Sequence, residues 1–345
     1  MLRPKFDLTV GALIVTTWTR ATLTRDLGSL AVRCQFTSLD VAPRGPLPFD
    51  NGQAATVRID GRTVLTGFVR VTESPIAAES GRLSFVVSSR STDLVDCDVD
   101  RGSFRKATPR VIATELIKDY GLRVVGVDPS LDKPIPKFVV RPGEKVARAL
   151  ERLAKRHALM VTSDGRDGVV FARAGGQTPT PVRTRLQVPG NVIGGQLRLD
   201  DSQQFSPIIV RGQSRGSDNA YGDKIAGAHA QVTDPNVKRH RPLVVTAHGR
   251  GVDLQAYAEW ERARRYGEAQ SLMHTVLGFS HADGPWEPNQ VVKVTDESSR
   301  VDELLLVSGL TYSISETEAR TTLTLTRLEA YLPEPPPKKR KGRGL

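Results

Sequence analysis

The stretch Gly284 to Leu328 decides the fold, and it opens with GPWEPNQ (residues 284–290). It continues with the short apolar run VVKVTD (291–296), then LLVSGLTY (305–312) after a polar loop, and ends on TLTLTRL (322–328). Runs in which apolar and polar residues alternate between turn signals are typical of antiparallel strands. The stretch therefore predicts a turn followed by three strands.

An earlier stretch repeats this pattern. It opens with GPLPFDNGQ (45–53), continues with ATVRID (55–60) and VLTGFVR (64–70), and closes on LSFVV (83–87). Each copy has a central glycine in its second strand, Gly67 and Gly309, and we expect both to be structural. A glycine inside a strand indicates a bulge or a bend where a sheet closes. The repetition predicts an internal duplication in which these glycines hold the same strand position.

Composition indicates an ordinary soluble protein of two to three domains. The chain of 345 residues is 39% hydrophobic and 25% charged, and it has no apolar run of about 18 residues that could cross a membrane. The N-terminus lacks the basic-then-apolar pattern of a secretory signal. Two cysteines, Cys34 and Cys97, form neither a disulfide framework nor a metal set, which suits a reducing cytoplasm.

The net charge of +11 is unevenly distributed. After Leu332 the chain carries five basic residues and one acid, and the basic ones are Lys338, Lys339, Arg340, Lys341 and Arg343. Such a tail is compatible with a nucleic-acid-binding or nuclear-import segment, and equally with a solubilising or docking tail. We assign it no role and expect residues 333–345 to be disordered.

Between the two copies the spacing of apolar residues changes from the alternation typical of strands to the spacing typical of helices. Thr108 before Pro109 predicts a helix start, and Gly121 predicts its end. A second helix is expected from Gly143 to His157, followed by a hairpin, and the longest helix from Val252 to Leu272. Residues 212–234 are polar and contain several glycines, so we expect a long loop or insertion there.

Each motif that resembles a catalytic or ligand-binding site lacks a required part. Gly212 to Gly216 matches the G-x-S-x-G pattern but is followed by a loop where the nucleophile turn needs a helix. His248 to Gly251 lacks the third glycine and the parallel unit of a dinucleotide site. The six histidines have no partners at metal-ligand spacing. We therefore expect no catalytic residue, no cofactor and no metal.

Six pieces of the chain form a further pattern: residues 91–97, Gly143 to Ala154, the hairpin Leu159 to Arg173, Arg239 to Leu243, Trp260-Glu261 with Arg264-Arg265, and His281 to Asn289. Together and in this order they resemble the baseplate hub proteins of Mu-like contractile-tailed phages. They span residues 6 to 332, nearly the whole folded chain. The resemblance implies a homotrimeric structural protein that joins the six-fold tail tube to the three-fold spike, contacts other baseplate proteins and leaves a channel through which DNA passes.

The resulting fold prediction is α+β and mainly β. It comprises a first tube-like antiparallel β-barrel (1–90), an α/β domain (91–175), a second barrel (176–212 plus 241–332), a loop-rich insertion (213–240) and the tail (333–345). We expect the chain to lie in the virion tail baseplate after assembly in the bacterial cytoplasm, without inserting into a membrane. Two alternatives stay open: a tail-associated cell-wall hydrolase, and a nucleic-acid-binding protein that uses the basic tail.

Overall fold

The computed structural model describes residues 5–15, 18–39, 49–73, 82–100, 102–126, 128–176, 180–212, 229–247 and 252–335. The chain divides into two compact units. The larger unit contains residues 1–196 and 273–325, and the smaller one contains residues 197–272 and 326–345. The chain thus passes from the larger unit to the smaller one twice, after residue 196 and again after residue 325.

The described strands and helices alternate in three groups along the chain. The first group is β1 (Phe6–Val10), β2 (Leu13–Val15), β3 (Trp18–Asp26), β4 (Arg33–Leu39), β5 (Ala54–Ile59), β6 (Arg62–Glu73) and β7 (Arg82–Ser89). The second is α1 (Asp93–Asp96), β8 (Ser103–Ala107), α2 (Pro109–Ile117), β9 (Arg123–Val125), β10 (Ile135–Val139), α3 (Val146–Lys155), β11 (Met160–Ser163) and β12 (Gly168–Ala172). The third is β13 (Leu186–Val188), β14 (Val192–Leu199), β15 (Ile208–Gly212), β16 (His229–Val232), β17 (Leu243–Ala247), α4 (Leu254–Glu268), β18 (Gln270–Leu277), β19 (Ser280–His281), β20 (Gly284–Pro285), β21 (Val291–Asp296), β22 (Val301–Ser315) and β23 (Ala319–Thr326).

One 13-stranded sheet joins the two β regions that the sequence predicts. Its strand order is β14-β18-β23-β22-β3-β4-β7-β6-β5-β1-β2, with β21 pairing β22 and β13 pairing β21 beside this path. The mainly β composition expected from the sequence is confirmed. The two regions, however, are continuous through the antiparallel pair β22–β3, and no local sequence pattern predicts this pairing.

The duplication is supported by the strand order. The first region runs β3-β4-β7-β6-β5 and the second runs β14-β18-β23-β22-β21, so corresponding strands have corresponding neighbours. The backbone repeats as well: Val69 N–H donates to the Gln53 carbonyl at 3.0 Å, and Val307 N–H donates to the Gln290 carbonyl at 2.8 Å. The residues before the two glutamines, Gly52 and Asn289, both have positive φ, +89° and +76°.

This register places the two central glycines at different positions of the repeated strand. Gly67 lies opposite Ala55, whereas Leu305 lies opposite the corresponding Val292. Since Val69 corresponds to Val307, Gly309 corresponds to Val71. Contrary to expectation, Gly67 and Gly309 are therefore not equivalent, and each makes its own close contact with a neighbouring strand. The position of a glycine in the sequence does not show which residue lies opposite it.

The α/β module lies between the two regions in sequence. Its three-stranded sheet β11-β12-β9 and its two-stranded ribbon β10–β8 pack with α2 and α3 around apolar side chains such as Leu150 and Phe171. The expected first helix is confirmed: the Thr108 hydroxyl accepts the Val111 N–H at 3.2 Å, and Gly121 follows in a left-handed conformation with φ +66°. The second helix is shorter than Gly143 to His157, running from Val146 to Lys155.

The smaller unit contains the sheet β16-β15-β17 and the long helix α4. Ala258 of α4 packs with Ile208 and Val210 of β15, and the Asp253 carboxylate caps the helix by accepting the Ala256 N–H at 3.4 Å. Two expectations are corrected here. The helix ends at Glu268 because Gln270 already begins β18, and the expected loop contains the strand β16, while residues 213–228 lie outside the described ones.

Replacing Gly67 by alanine should destabilise the fold much more than replacing Gly309 by alanine. A Cβ at Gly67 would lie 1.8 Å from the Ser88 carbonyl oxygen, so backbone must move, whereas at Gly309 it would meet the Asp26 carboxylate oxygen at 2.4 Å, and that side chain can rotate. We expect a loss of about 3 kcal/mol or more for Gly67→Ala and about 1 kcal/mol for Gly309→Ala. Urea unfolding measures both, and equal losses would contradict the assigned register.

Candidate functional site

The structure adds no support for the sequence motifs that resemble catalytic sites. Of the Gly212–Gly216 motif only Gly212 lies within the described residues, at the end of β15. His248 to Gly251 lies outside them. Among the described stretches of the chain, no group of three or more His, Cys, Asp or Glu side chains could hold a metal ion.

The histidines that can be placed are dispersed. His157 follows α3 and is half-buried, and burial lowers its pKa. His229 and His240 are exposed. The side chain of His281 is buried; its Nδ1 accepts the Asp283 N–H at 3.2 Å and its ring lies 4.5 Å from that of Trp286. Such a histidine acts as a packing residue of the β19–β20 hairpin.

His274 and Asp296 form a buried pair that the sequence gives no sign of. The His274 Nε2 lies 3.1 Å from the Asp296 Oδ2, with side chains 1% and 6% exposed. Burial raises the pKa of Asp296, but the Ser299 N–H and the His274 ring outweigh it and hold that pKa below its usual value. The pair ties β18 to the end of β21 within the larger unit.

The joint between β22 and β3 is an extensive contact between the two β regions of the chain. Seven residue pairs run from Gly309↔Asp26 to Ser315↔Arg20, and Leu27 N–H adds a hydrogen bond of 2.7 Å to the Ser308 carbonyl. Two strands pair with this edge of β22, one after the other along its length. β21 pairs with Val301–Leu306, and β3 pairs with Gly309–Ser315. One strand edge thus holds together two β regions that are far apart in sequence.

A cleft of about 1030 Å³ adjoins this joint in the larger unit. Its apolar lining includes Leu277, Phe279 and Tyr312, and Arg25 of β3 lines it as well. The Arg25 Nε is buried without a hydrogen-bond partner in the described chain. The Tyr312 hydroxyl donates to the Trp286 carbonyl, and burial raises the pKa of this phenol. The lining also includes two further arginines, Arg62 and Arg166, so the cleft offers space and three cations.

A buried hydroxyl cluster connects the first β region to the α/β module. The Ser91 hydroxyl lies 2.8 Å from both the Ser89 and the Ser163 hydroxyls and donates to the Leu30 carbonyl at 2.6 Å. The Ser89 hydroxyl also accepts the Val32 N–H at 3.1 Å. Buried hydroxyls that are satisfied in this way fix the relative position of the segments that carry them.

Family models match the chain in three places. "Mu phage baseplate assembly protein GpP-like, N-terminal" matches residues 5–91, "Baseplate hub protein gp44-like, second domain" matches 91–173, and "Mu phage baseplate assembly protein GpP, fourth domain" matches 252–334. The baseplate hub protein gp44 of Escherichia phage Mu is 27% identical over 334 residues, covering 92% of this chain and 86% of that protein. The resemblance to Mu-like baseplate hub proteins is confirmed.

Solved tail proteins share the fold of this hub-type chain. The 43 kDa tail protein of prophage MuSo2 from Shewanella oneidensis aligns with a TM-score of 0.83 and 26% identity, over 96% of this chain and 99% of that one. The tail protein from Neisseria meningitidis aligns with a TM-score of 0.78 and 23% identity, over 97% and 99%. The chain is a phage tail structural protein of the Mu-like baseplate hub type, and its expected location in the virion tail baseplate is confirmed with it. No helix among the described residues of this hub-type chain is long and apolar enough to span a membrane.

Removing the carboxylate of Asp296 should destabilise the hub-type chain by about 2 kcal/mol at neutral pH, because a buried histidine and the Ser299 N–H lose their acceptor. The pKa of Asp296 is lowered by folding, so its contribution is present at neutral pH and is lost as the pH falls through the folded-state pKa. Urea unfolding of Asp296→Ala at neutral and acid pH tests this. Asp302→Ala is the control, since that carboxylate is exposed, and equal behaviour of both variants would refute the role.

Proposed function

We propose that the chain forms a homotrimeric baseplate hub that joins the six-fold tail tube to the three-fold spike and leaves a channel for DNA. The observation that carries the proposal is the β22–β3 joint within one chain. The repeated strand order means that a second joint of the same kind is available between chains. Three chains with two joints each give six similar positions around a ring.

The second joint is argued from the strand edges left open. The edge of β6 pairs β5 up to Phe68, and Val69 bonds Gln53, but beyond Val69 the described part of the chain supplies no strand to this edge. On β22 the corresponding edge is the one that β3 occupies. The counterpart of β3 is β14, which ends the sheet and is paired on one side by β18. We infer that β14 of one copy pairs with β6 of the next.

Exposed apolar side chains lie on both of these strands. Val71 of β6 is 44% exposed and Ile193 of β14 is 46% exposed. An unpaired strand edge invites pairing with another chain, and a head-to-tail contact closes into a ring when its rotation allows. Covering these edges in a ring removes both the open hydrogen-bonding groups and the exposed apolar surface. The contact therefore favours a closed assembly.

The finer organisation expected from the sequence is part of the same proposal. Each β region would be one tube-like barrel unit of the ring, within the division 1–90, 91–175, 176–212 plus 241–332, 213–240 and 333–345. The tail tube would meet one side of the ring, the spike and other baseplate proteins the other. DNA would be a transient occupant of the channel. This role is geometric and needs no catalysis by the chain.

Val71→Asp should weaken the trimer, because the new carboxylate would lie in the proposed contact between β6 and β14 of the next copy. We expect the wild-type chain to have the mass of three chains in solution and to appear as a ring with six-fold-like features in images. For Val71→Asp we expect assembly to require at least about tenfold more protein. Analytical ultracentrifugation over a concentration series measures this.

The matched control is Val125→Asp, which changes an exposed valine of β9 in the α/β module. Circular dichroism shows whether both variants keep the fold. A wild-type chain that stays monomeric at high concentration in the presence of its tube and spike partners would refute the trimer. Equal assembly of both variants would refute the β6–β14 contact.

The absence of catalysis is tested separately. Zymography of the purified chain on peptidoglycan should show no clearing, because the proposed role of the chain is geometric and needs no hydrolysis. A lysozyme of equal concentration is the positive control. Clearing by the chain would favour the alternative of a tail-associated cell-wall hydrolase.

A further inference from the structure

The ribbon β8–β10 carries a concentration of positive charge on its outer surface. Lys137 lies directly opposite Arg105 in the antiparallel register. Lys106 follows with a positive φ of +48°, which a lysine rarely adopts. All three side chains are exposed, and like charges opposite each other on a strand pair destabilise it. The ribbon thus keeps an arrangement that costs stability.

A fourth cation, Arg156, extends the cluster from the position directly after α3. The Arg156 guanidinium donates to the Lys137 carbonyl at 3.3 Å and lies 5.4 Å from the centre of the Phe138 ring. Burial and the neighbouring Arg152 lower the pKa of Arg156. Burial is the larger cause, and the charge of Arg152 adds to it.

Carboxylates of the α/β module are paired with other bases. The ion pairs join Arg110 to Asp132, Lys118 to Glu115, Lys145 to Asp98, Arg148 to Glu151, Arg152 to Glu144 and Arg173 to Asp128. Within the described ranges, none of Arg105, Lys106, Lys137 and Arg156 has an ion pair. The charge of the ribbon is therefore available to a partner.

We propose that the outer face of the β8–β10 ribbon binds the phosphate backbone of double-stranded DNA. The proposal goes beyond the hub function and rests on it only in taking DNA as the polyanion that the chain meets. The centre of a protein–protein interface is depleted of charge and rich in aromatic residues. Here the aromatic pair of the ribbon, Phe104 and Phe138, packs against the module core instead.

The shape of the ribbon agrees with this partner. A two-stranded antiparallel ribbon is narrow enough to approach the major groove, and cations on its face then lie near regularly spaced phosphates. Such contacts are independent of base sequence and are screened by salt. The interaction suits a molecule that must pass the protein without being held at one position.

The test is the affinity of the full chain for a short fluorescent DNA duplex of mixed sequence, measured by anisotropy between about 50 and 200 mM salt. We expect Arg105→Glu/Lys137→Glu to weaken binding at least about tenfold and to reduce the salt slope by about two. The control Arg123→Glu/Arg148→Glu makes the same change in net charge at exposed positions of the same module. It should change the affinity less than about threefold.

Further arms separate this site from the alternatives. A chain that ends at residue 332 should retain most of the affinity; loss of binding there would place the site in the basic tail and overturn the proposal. Equal weakening by the control, no binding by the wild type at the lowest salt, or tighter binding of poly-L-glutamate than of DNA would also overturn it. Ultracentrifugation of the same variants separates failure of this proposal from failure of the hub function. A chain that assembles into a ring but does not bind DNA would refute only the DNA-binding role of the ribbon.

Discussion

An open strand edge is the constraint on which this structure depends. The backbone groups of an edge strand need partners, and β22 satisfies its edge with two different strands, β21 along one half and β3 along the other. Because β3 belongs to the first β region, this one edge converts two repeats into a continuous sheet. In the function that we propose, the same requirement applied to β6 and β14 leads from a single chain to a ring. Assembly is then a repetition of an intrachain contact.

The sequence was informative wherever the decisive interaction was local. Thr108, Pro109 and Gly121 mark a helix because a cap, a fixed φ and a left-handed residue act within one turn. The quoted openings of the two copies contain Gly52 and Asn289, and the structure gives both a positive φ, which restricts the residue type. The central glycines suggested an equivalence that the strand register does not support. Close packing against another strand depends on a partner strand, which the spacing of glycines does not reveal.

Long-range contacts were out of reach for the same physical reason. His274 and Asp296 meet through sheet geometry, and neither has a spacing or flanking motif that distinguishes it from a surface residue. The strand β16 was hidden because its four residues, two of them half-exposed, show little apolar alternation. The β22–β3 joint itself could not be predicted from pattern alone. Its counterpart is nevertheless implied once the repeated strand order is known.

The β22–β3 joint also affects the order of events during synthesis. Asp26 and Gly309 are about 280 residues apart, so β3 leaves the ribosome roughly 15 to 60 s before its partner strand is made. During that interval the N-terminal β region has an unfilled edge at the place where the C-terminal region will later lie. This edge is closed from within only once β22 has been made. The continuous sheet is therefore one of the last features of the chain to form during synthesis.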